Sequence, residues 1–281
     1  MSMKKFIVLL LSLLAVSAWA DEKIKVMYLG LPQVGPSVIH AQAFGKHFSE
    51  PTTFISMKDC QAGLDYLNKN TDVIYLLAST NAATSKKHNI DCQPKINPAD
   101  IVYTSNQYFN LCRRPDNKKN ILRDRFTIGA ASVVPMMGIA SDYNLQNGMS
   151  MIAVPLQSST QVVTSVMNGD VDWGFIVQSI SDPHVAAGKL ECPYSTNPKA
   201  DNYVGRKFQL AIPDYKLKWL MVAKTSDPAV KAAATKAVLS KEHQEWLEQN
   251  RFDNIKTSGF EQADIDKWNN DIDNVIKNYL Q

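Results

Sequence analysis

Ser158, Ser159 and Thr160 stand in a row between an apolar run, "MSMIAVP", and a helical pattern with Val162, Val163 and Val166 on one face. Hydroxyls at that position do one of two things. They cap the helix, accepting a hydrogen bond from a first-turn N–H. Or they join the unpaired N–H groups and partial positive charge of the helix start in holding an anion. The same combination of small, flexible or hydroxyl residues recurs at other strand-to-helix junctions: "LPQVGPS" with Gln33, Val34, Gly35 and Ser37, "LAST" with Ser79 and Thr80, and "GAASVV" with Ser132 and Val133. In open α/β sheets ligands sit beyond the carboxyl ends of the strands, where such junctions lie. Past the Asn168-Gly169 break, Asp172 opens the next apolar run, either as a ligand contact or as a turn partner at a strand start.

Groups for covalent or metal chemistry are missing from the pattern. There is no G-x-S-x-G elbow, P-loop, H-E-x-x-H or G-x-G-x-x-G motif. The five histidines are scattered; His40 and His47, two turns apart on one helix, lack ligand spacing and read as core or surface residues. Asp170 and Asp172 alternate along a strand, which gives no acid–base logic. No cofactor, no metal and no enzymatic activity are expected. The formal charge is +3 and two of the lysines, Lys4 and Lys5, lie in the leader described next, so nothing calls for a nucleic-acid partner. The run "RRPDNKKNILRDR" reads as a solvated surface loop.

These residues need elements to position them. The chain starts with a basic "MSMKK", an apolar "FIVLLLSLLAV" and the small-x-small Ala18-Trp19-Ala20, the pattern of a secretory signal peptide over 1–20 cut before Asp21. Export to the periplasm makes disulfides expected of Cys60, Cys92, Cys112 and Cys192. Three connectivities are open; the pairing favoured is Cys60–Cys92 with Cys112–Cys192. Strands are expected at "KIKVMYLGL", "PTTFISM", "TDVIYLLAST", "RFTIGAAS", "DVDWGFIV" and "KWLMVAK", with one or two more in "DIVYTSNQYFNLCRRP". Helices are expected after Ser37, Asp59 and Ser158, over 133–148, through "SDPAVKAAATKAVLSKEHQEWLEQN" behind Asp227 and Pro228, and after Ser258. Trp173, Met136 and Met137 read as core. The alternation predicts parallel α/β sheets, and it occurs twice. Two lobes follow: 21–111 completed by 221–281, and 112–220.

"VPLQSSTQVVTSVMNGDVDWGFI", "PHVAAGKLECPYST" and "AIPDYKLKWLMVAKTSDPAVKAAATKAVL" resemble, in order and spacing, segments of tripartite tricarboxylate transporter receptors, the Bug-type extracytoplasmic solute receptors. The family's P-G-G loop is here Pro32 to Gly35, its G-S-x-G turn is Gly129-Ala130-Ala131-Ser132, and its Tyr-Lys-Gly is Leu156-Gln157-Ser158. The resemblance implies a two-lobed, type II periplasmic binding protein-like fold with a hinge. It implies a monomeric receptor that closes on a small anionic solute, a carboxylate, and presents it to membrane transporter subunits. Gln33, Val34, Gly35, Ser37, Ser79, Thr80, Ser132, Val133, Ser158, Ser159, Thr160 and Asp172 are the candidate binding residues. An ABC-type binding protein for a phosphonate or sulfonate, a periplasmic sensor, and an exported enzyme remain the alternatives.

Overall fold

The computed structural model describes residues 24–29, 36–57, 60–79, 95–120, 124–131, 151–208 and 212–279. The leader and its cleavage site, Gln33 to Gly35, Asp59, Thr80, Cys92 and the helix expected over 133–148 lie outside the described residues.

Apolar runs become strands where the sequence reading places them. These are β1 (Ile24–Leu29), β2 (Thr52–Met57), β3 (Val73–Ala78), β5 (Phe126–Ala130), β7 (Trp173–Val177) and β9 (Lys216–Lys224). The "DIVYTSNQYFNLCRRP" segment forms one long strand, β4 (Ile101–Arg113), and "MIAVP" forms β6 (Met151–Pro155). Two further strands, β8 (Glu191–Ser195) and β10 (Asp253–Lys256), are not anticipated. All join one sheet in the order β2-β1-β3-β9-β4-β7-β5-β6, with β8 and β10 also on β4. β3 is apolar and buried at every position because both of its faces are covered.

β4 serves both halves of the sheet. Its residues up to Tyr108 pair with β9, ending at Tyr108 opposite Lys216. From Phe109 onward it pairs with β7, starting opposite Val177, and with β8. The first half is therefore β2-β1-β3-β9 with β10, and the second is β7-β5-β6 with β8.

The helices pack on both faces. α1 (Pro36–His47) starts on a proline, whose missing N–H costs nothing in a first turn, so Ser37 is its second residue and not its cap. α1 buries Ala41, Phe44 and, just past its end, Phe48. α2 (Cys60–Lys69) buries Leu67. α3 (Ser159–Asn168) buries Val162, Val163 and Val166, and ends on Gly169 at φ 83, a left-handed conformation that glycine adopts without a Cβ clash. α3 lies so close to β7 that a Cβ on Gly174 would stand 2.8 Å from the side chains of both Val162 and Val166. α4 (Gln178–Ala186) follows β7 directly.

The expected long helical region is two helices, α5 (Pro228–Leu239) and α6 (Lys241–Gln249). Asp227 caps the first, accepting from the Ala229 amide at 2.8 Å. Ser240 divides them because its hydroxyl serves both sides: it donates to the Ala237 carbonyl at 2.8 Å and accepts from the His243 amide at 3.2 Å. α7 (Gln262–Tyr279) starts four residues beyond Ser258, so that serine is not its cap.

Three apolar clusters result. The largest runs through both halves and contains Phe44, Tyr103, Phe109, Trp173, Phe175 and Trp219. A second lies under α7, around Trp268 and Ile272. The third lies under α3 and includes Cys112, which is bridged to Cys192 as expected. Among the described residues no helix is long and apolar enough to cross a membrane.

Candidate functional site

Strand directions place the carboxyl edges of the two halves against each other. In the first half β1 and β3 are parallel, and β4 runs the same way because both it and β3 are antiparallel to β9. β4 thus leaves the first half at its carboxyl edge. It enters the second half beside Val177, the carboxyl end of β7, and β5 and β6 run parallel to β7. Whatever follows the strands in either half faces a common cleft at the β4 crossing.

Four candidate residues with described side chains reach those edges. Ser79 follows β3, and its hydroxyl accepts from the Lys218 amide of β9 at 3.0 Å. Ser158 ends the short link from β6 to α3 and is the N-cap, accepting from the Gln161 amide at 3.1 Å. Gln161 returns a bond, its Oε1 accepting from the Gln157 amide at 2.8 Å, a reciprocal cap that fixes the helix entry. Ser159 is buried and Thr160 exposed. Their amides begin the helix and have no carbonyl within it to bond. Ser37, in the first turn of α1, follows the carboxyl end of β1 in the same way. Gln33, Val34, Gly35, Thr80, Ser132 and Val133 lie outside the described residues.

Asp172 lies at the opposite edge, before β7 and about one helix length, roughly 15 Å, from Ser158. Its Oδ2 accepts from Lys119 Nζ at 2.8 Å, the Thr127 amide at 2.8 Å and the Thr127 hydroxyl at 3.1 Å. Its own amide donates to Thr127 Oγ1 at 2.9 Å. Burial raises its pKa, but the Lys119 and Thr127 bonds outweigh that and hold the carboxyl below the usual aspartate range. The geometry is that of a strand-start turn partner joining β5 to β7.

A cavity of about 750 Å³ opens beside the first-half edge and runs beneath α7. Ser79, Asn106, Lys216, Lys218, Trp268 and Asp271 are among its lining residues. Its size suits a small solute. Three of its lysines have acidic partners: Lys218 touches Asp271, Lys256 lies 2.8 Å from Asp264, and Lys216 lies 3.4 Å from Asp214. Burial, followed by the Lys216 and Lys267 charges, pushes Lys218 down to about 8, while Asp214 pulls the other way. These lysines were not anticipated, although "KLKWLMVAK" carries their signal. Period-2 alternation puts Lys216 and Lys218 on one face and Leu217 and Trp219 on the other.

No three metal-ligating side chains come together among the described residues. The arrangement offers hydroxyls, helix-start amides and lysines at facing edges, a set of donors suited to negative charge.

Two α/β halves, joined by strands that cross between them, make this the two-lobed hinged fold of periplasmic binding proteins. The sequence matches no protein-family model and no curated protein. Solved structures do match. One described as a periplasmic transporter has a TM-score of 0.70 at 14% identity, over 92% of this chain and 98% of the other. The periplasmic binding protein BugD gives 0.67 at 11%, over 91% and 97%. An R. palustris protein solved with adipate gives 0.64 at 12%, over 92% and 98%. At such identities the likeness concerns the fold.

Proposed function

We propose that this chain is a Bug-type periplasmic receptor of a tripartite tricarboxylate transporter, exported by its 1–20 leader. Two lobes, 21–111 with 221–281 and 112–220, close on a small carboxylate and present it to the membrane subunits. One observation carries the reading. The fold shared with BugD and with an adipate-bound protein brings the strand-to-helix junctions of both halves, Ser79 and Ser158 among them, to one cleft. Helix-start amides and hydroxyls hold carboxylates without any catalytic neighbour. Gln33 to Gly35, Ser37, Thr80, Ser132, Val133, Ser159 and Thr160 complete the proposed donor set. Asp172 serves the second lobe's framework.

The test is a melting screen of the purified 21–281 protein against di- and tricarboxylates, aromatic acids, phosphonates, sulfonates and amino acids. A solute at a hundredfold excess over its Kd stabilises the fold by roughly 2.7 kcal/mol, a shift of a few degrees. A shift with one carboxylate class supports the receptor. A shift with phosphonates or sulfonates alone replaces it with an ABC-type binding protein.

Ser158 separates capping from binding. Ser158→Ala lowers stability by about 1 kcal/mol through the lost cap. Ser158→Asp keeps the cap but sets a carboxylate where the solute's anion would sit. It is expected to retain the unfolding midpoint and lose the solute-induced shift. A full shift in Ser158→Asp would restrict Ser158 to capping.

A further inference from the structure

A second set of contacts ties the two halves together beside the β4 crossing. Gln107, buried at the carboxyl edge of the first half, uses its whole amide. Its Oε1 accepts from Trp219 Nε1 at 3.0 Å, and its Nε2 donates to the Asn250 carbonyl at 2.8 Å and to Ser179 Oγ at 3.2 Å. One side chain thus joins β9, the end of α6 and the start of α4. Three residues on, Asn110 Nδ2 donates to Ser181 Oγ at 3.0 Å and to Asp182 Oδ1 at 3.4 Å, and its Oδ1 accepts from Gln178 Nε2 at 3.3 Å. The other Asp182 oxygen takes Arg251 Nε at 2.8 Å.

Arg251 belongs to the first half and Asp182 to the second. Arg251 sits at φ 59, a left-handed conformation that a side chain disfavours. It is held there by its amide bond to the Glu248 carbonyl and by that of Phe252 to the Leu247 carbonyl, which close the end of α6. Two residues later Asp253 of β10 pairs with Lys199, beyond β8 in the second half, at 2.9 Å. The short 250–253 segment therefore carries one carbonyl and two ion-pairing side chains across the crossing.

We propose that segment 250–253 is a latch: its Arg251–Asp182 and Lys199–Asp253 pairs, seated on the Gln107 and Asn110 amides, set the angle between the halves. The Arg251 and Asp182 side chains are 61% and 34% exposed. Pairs so exposed are weak and screened by salt, which suits a contact that must release when a cleft opens or closes. The consequence for solute affinity rests on the receptor reading; the angle does not.

The test uses solute-free protein. Spin labels at Lys236→Cys and Thr164→Cys, exposed positions on α5 and α3, report the distance between the halves. Arg251→Gln and Asp182→Asn are each expected to shift or broaden the distance distribution. The double variant goes no further than either single, 1 M salt reproduces the effect in the wild type, and Arg251→Lys restores the original distribution. Thermal melts confirm that each variant is folded. Distributions that coincide with wild type in both single variants overturn the latch. With a solute from the melting screen, the single variants change its affinity by up to about fivefold. Altered distances in a protein that binds no screened solute sink the receptor reading and leave the latch standing. A bound solute with unaltered distances does the reverse.

Discussion

Removing the Cys112–Cys192 bridge is expected to lower the stability of the second half by about 4 kcal/mol, the largest single loss in the molecule. The reasoning starts from the chain it encloses. The two cysteines are 80 residues apart, and β5, β6, α3, β7 and α4 all lie between them. Almost the entire second half is one covalent loop, closed where the end of β4 meets β8. A loop of that length confines the unfolded chain strongly, and chain-entropy arithmetic gives roughly 4.5 kcal/mol at 25 °C. The first half lies outside the loop and gains little. A Cys112→Ala, Cys192→Ala variant should therefore unfold in urea in two steps, with Trp173, buried in the second half, reporting the earlier one. Trp219, Trp246 and Trp268 report the later step. One coincident transition at the wild-type midpoint would refute this account.

Much of the frame is legible in the sequence because it is locally encoded. The all-apolar β3, the Ser158–Gly169 helix and the Asp227-Pro228 helix start each carry their signal within a few residues. What the sequence conceals is set by distant partners. β4 carries Asn106, Gln107 and Asn110 in mid-strand, which blurs a strand reading until their partners are known. Those of Gln107 and Asn110 lie 72 to 143 residues away, except for Trp219 at 112. Asp172 is ambiguous for the same reason, since Thr127 and Lys119 are 45 and 53 residues distant. Ser240 splits a strong helical region with a single hydroxyl, and propensity summed over a window does not register one side-chain bond. The candidate site is legible as a class of junction. Its lysines escape notice because Lys216 and Lys218 open an apolar strand whose other positions are buried.

Acid should weaken the first half well before its carboxylates titrate. His40 and His243, scattered in sequence, meet where α1 packs on α6, and both are fully buried. His40 lies among Tyr103, Trp219, Trp246 and Phe252, with ring centroids 4.6 to 5.4 Å away. Its Nδ1 meets the Tyr103 hydroxyl at 3.4 Å, and neither ring nitrogen of His243 has a hydrogen-bond partner among the described residues. A charge in this apolar cage has no solvation to replace water. Burial, then His243, holds His40 well below 6.5; burial, then His47, pushes His243 down to about 4. With folded values below the unfolded one, the unfolded chain binds more protons between pH 6.5 and 4. Stability is complete above pH 6.5 and falls as pH drops through that window. His243 alone contributes a loss of about 2 kcal/mol between pH 8 and pH 5, and His40 adds to it. Ordinary carboxylates titrate below about 4.5, so the window isolates the histidines. Urea midpoints at pH 8, 6.5, 5.5 and 5 measure the loss, and His243→Leu, of similar volume, is expected to flatten the profile without weakening the protein at pH 8. A wild-type profile flat from pH 8 to 5, or a slope unchanged in His243→Leu, would count against the buried pair. α6 carries His243 and runs directly into Asn250 and Arg251, so protonation that loosens this helix also frees the segment bridging the two halves.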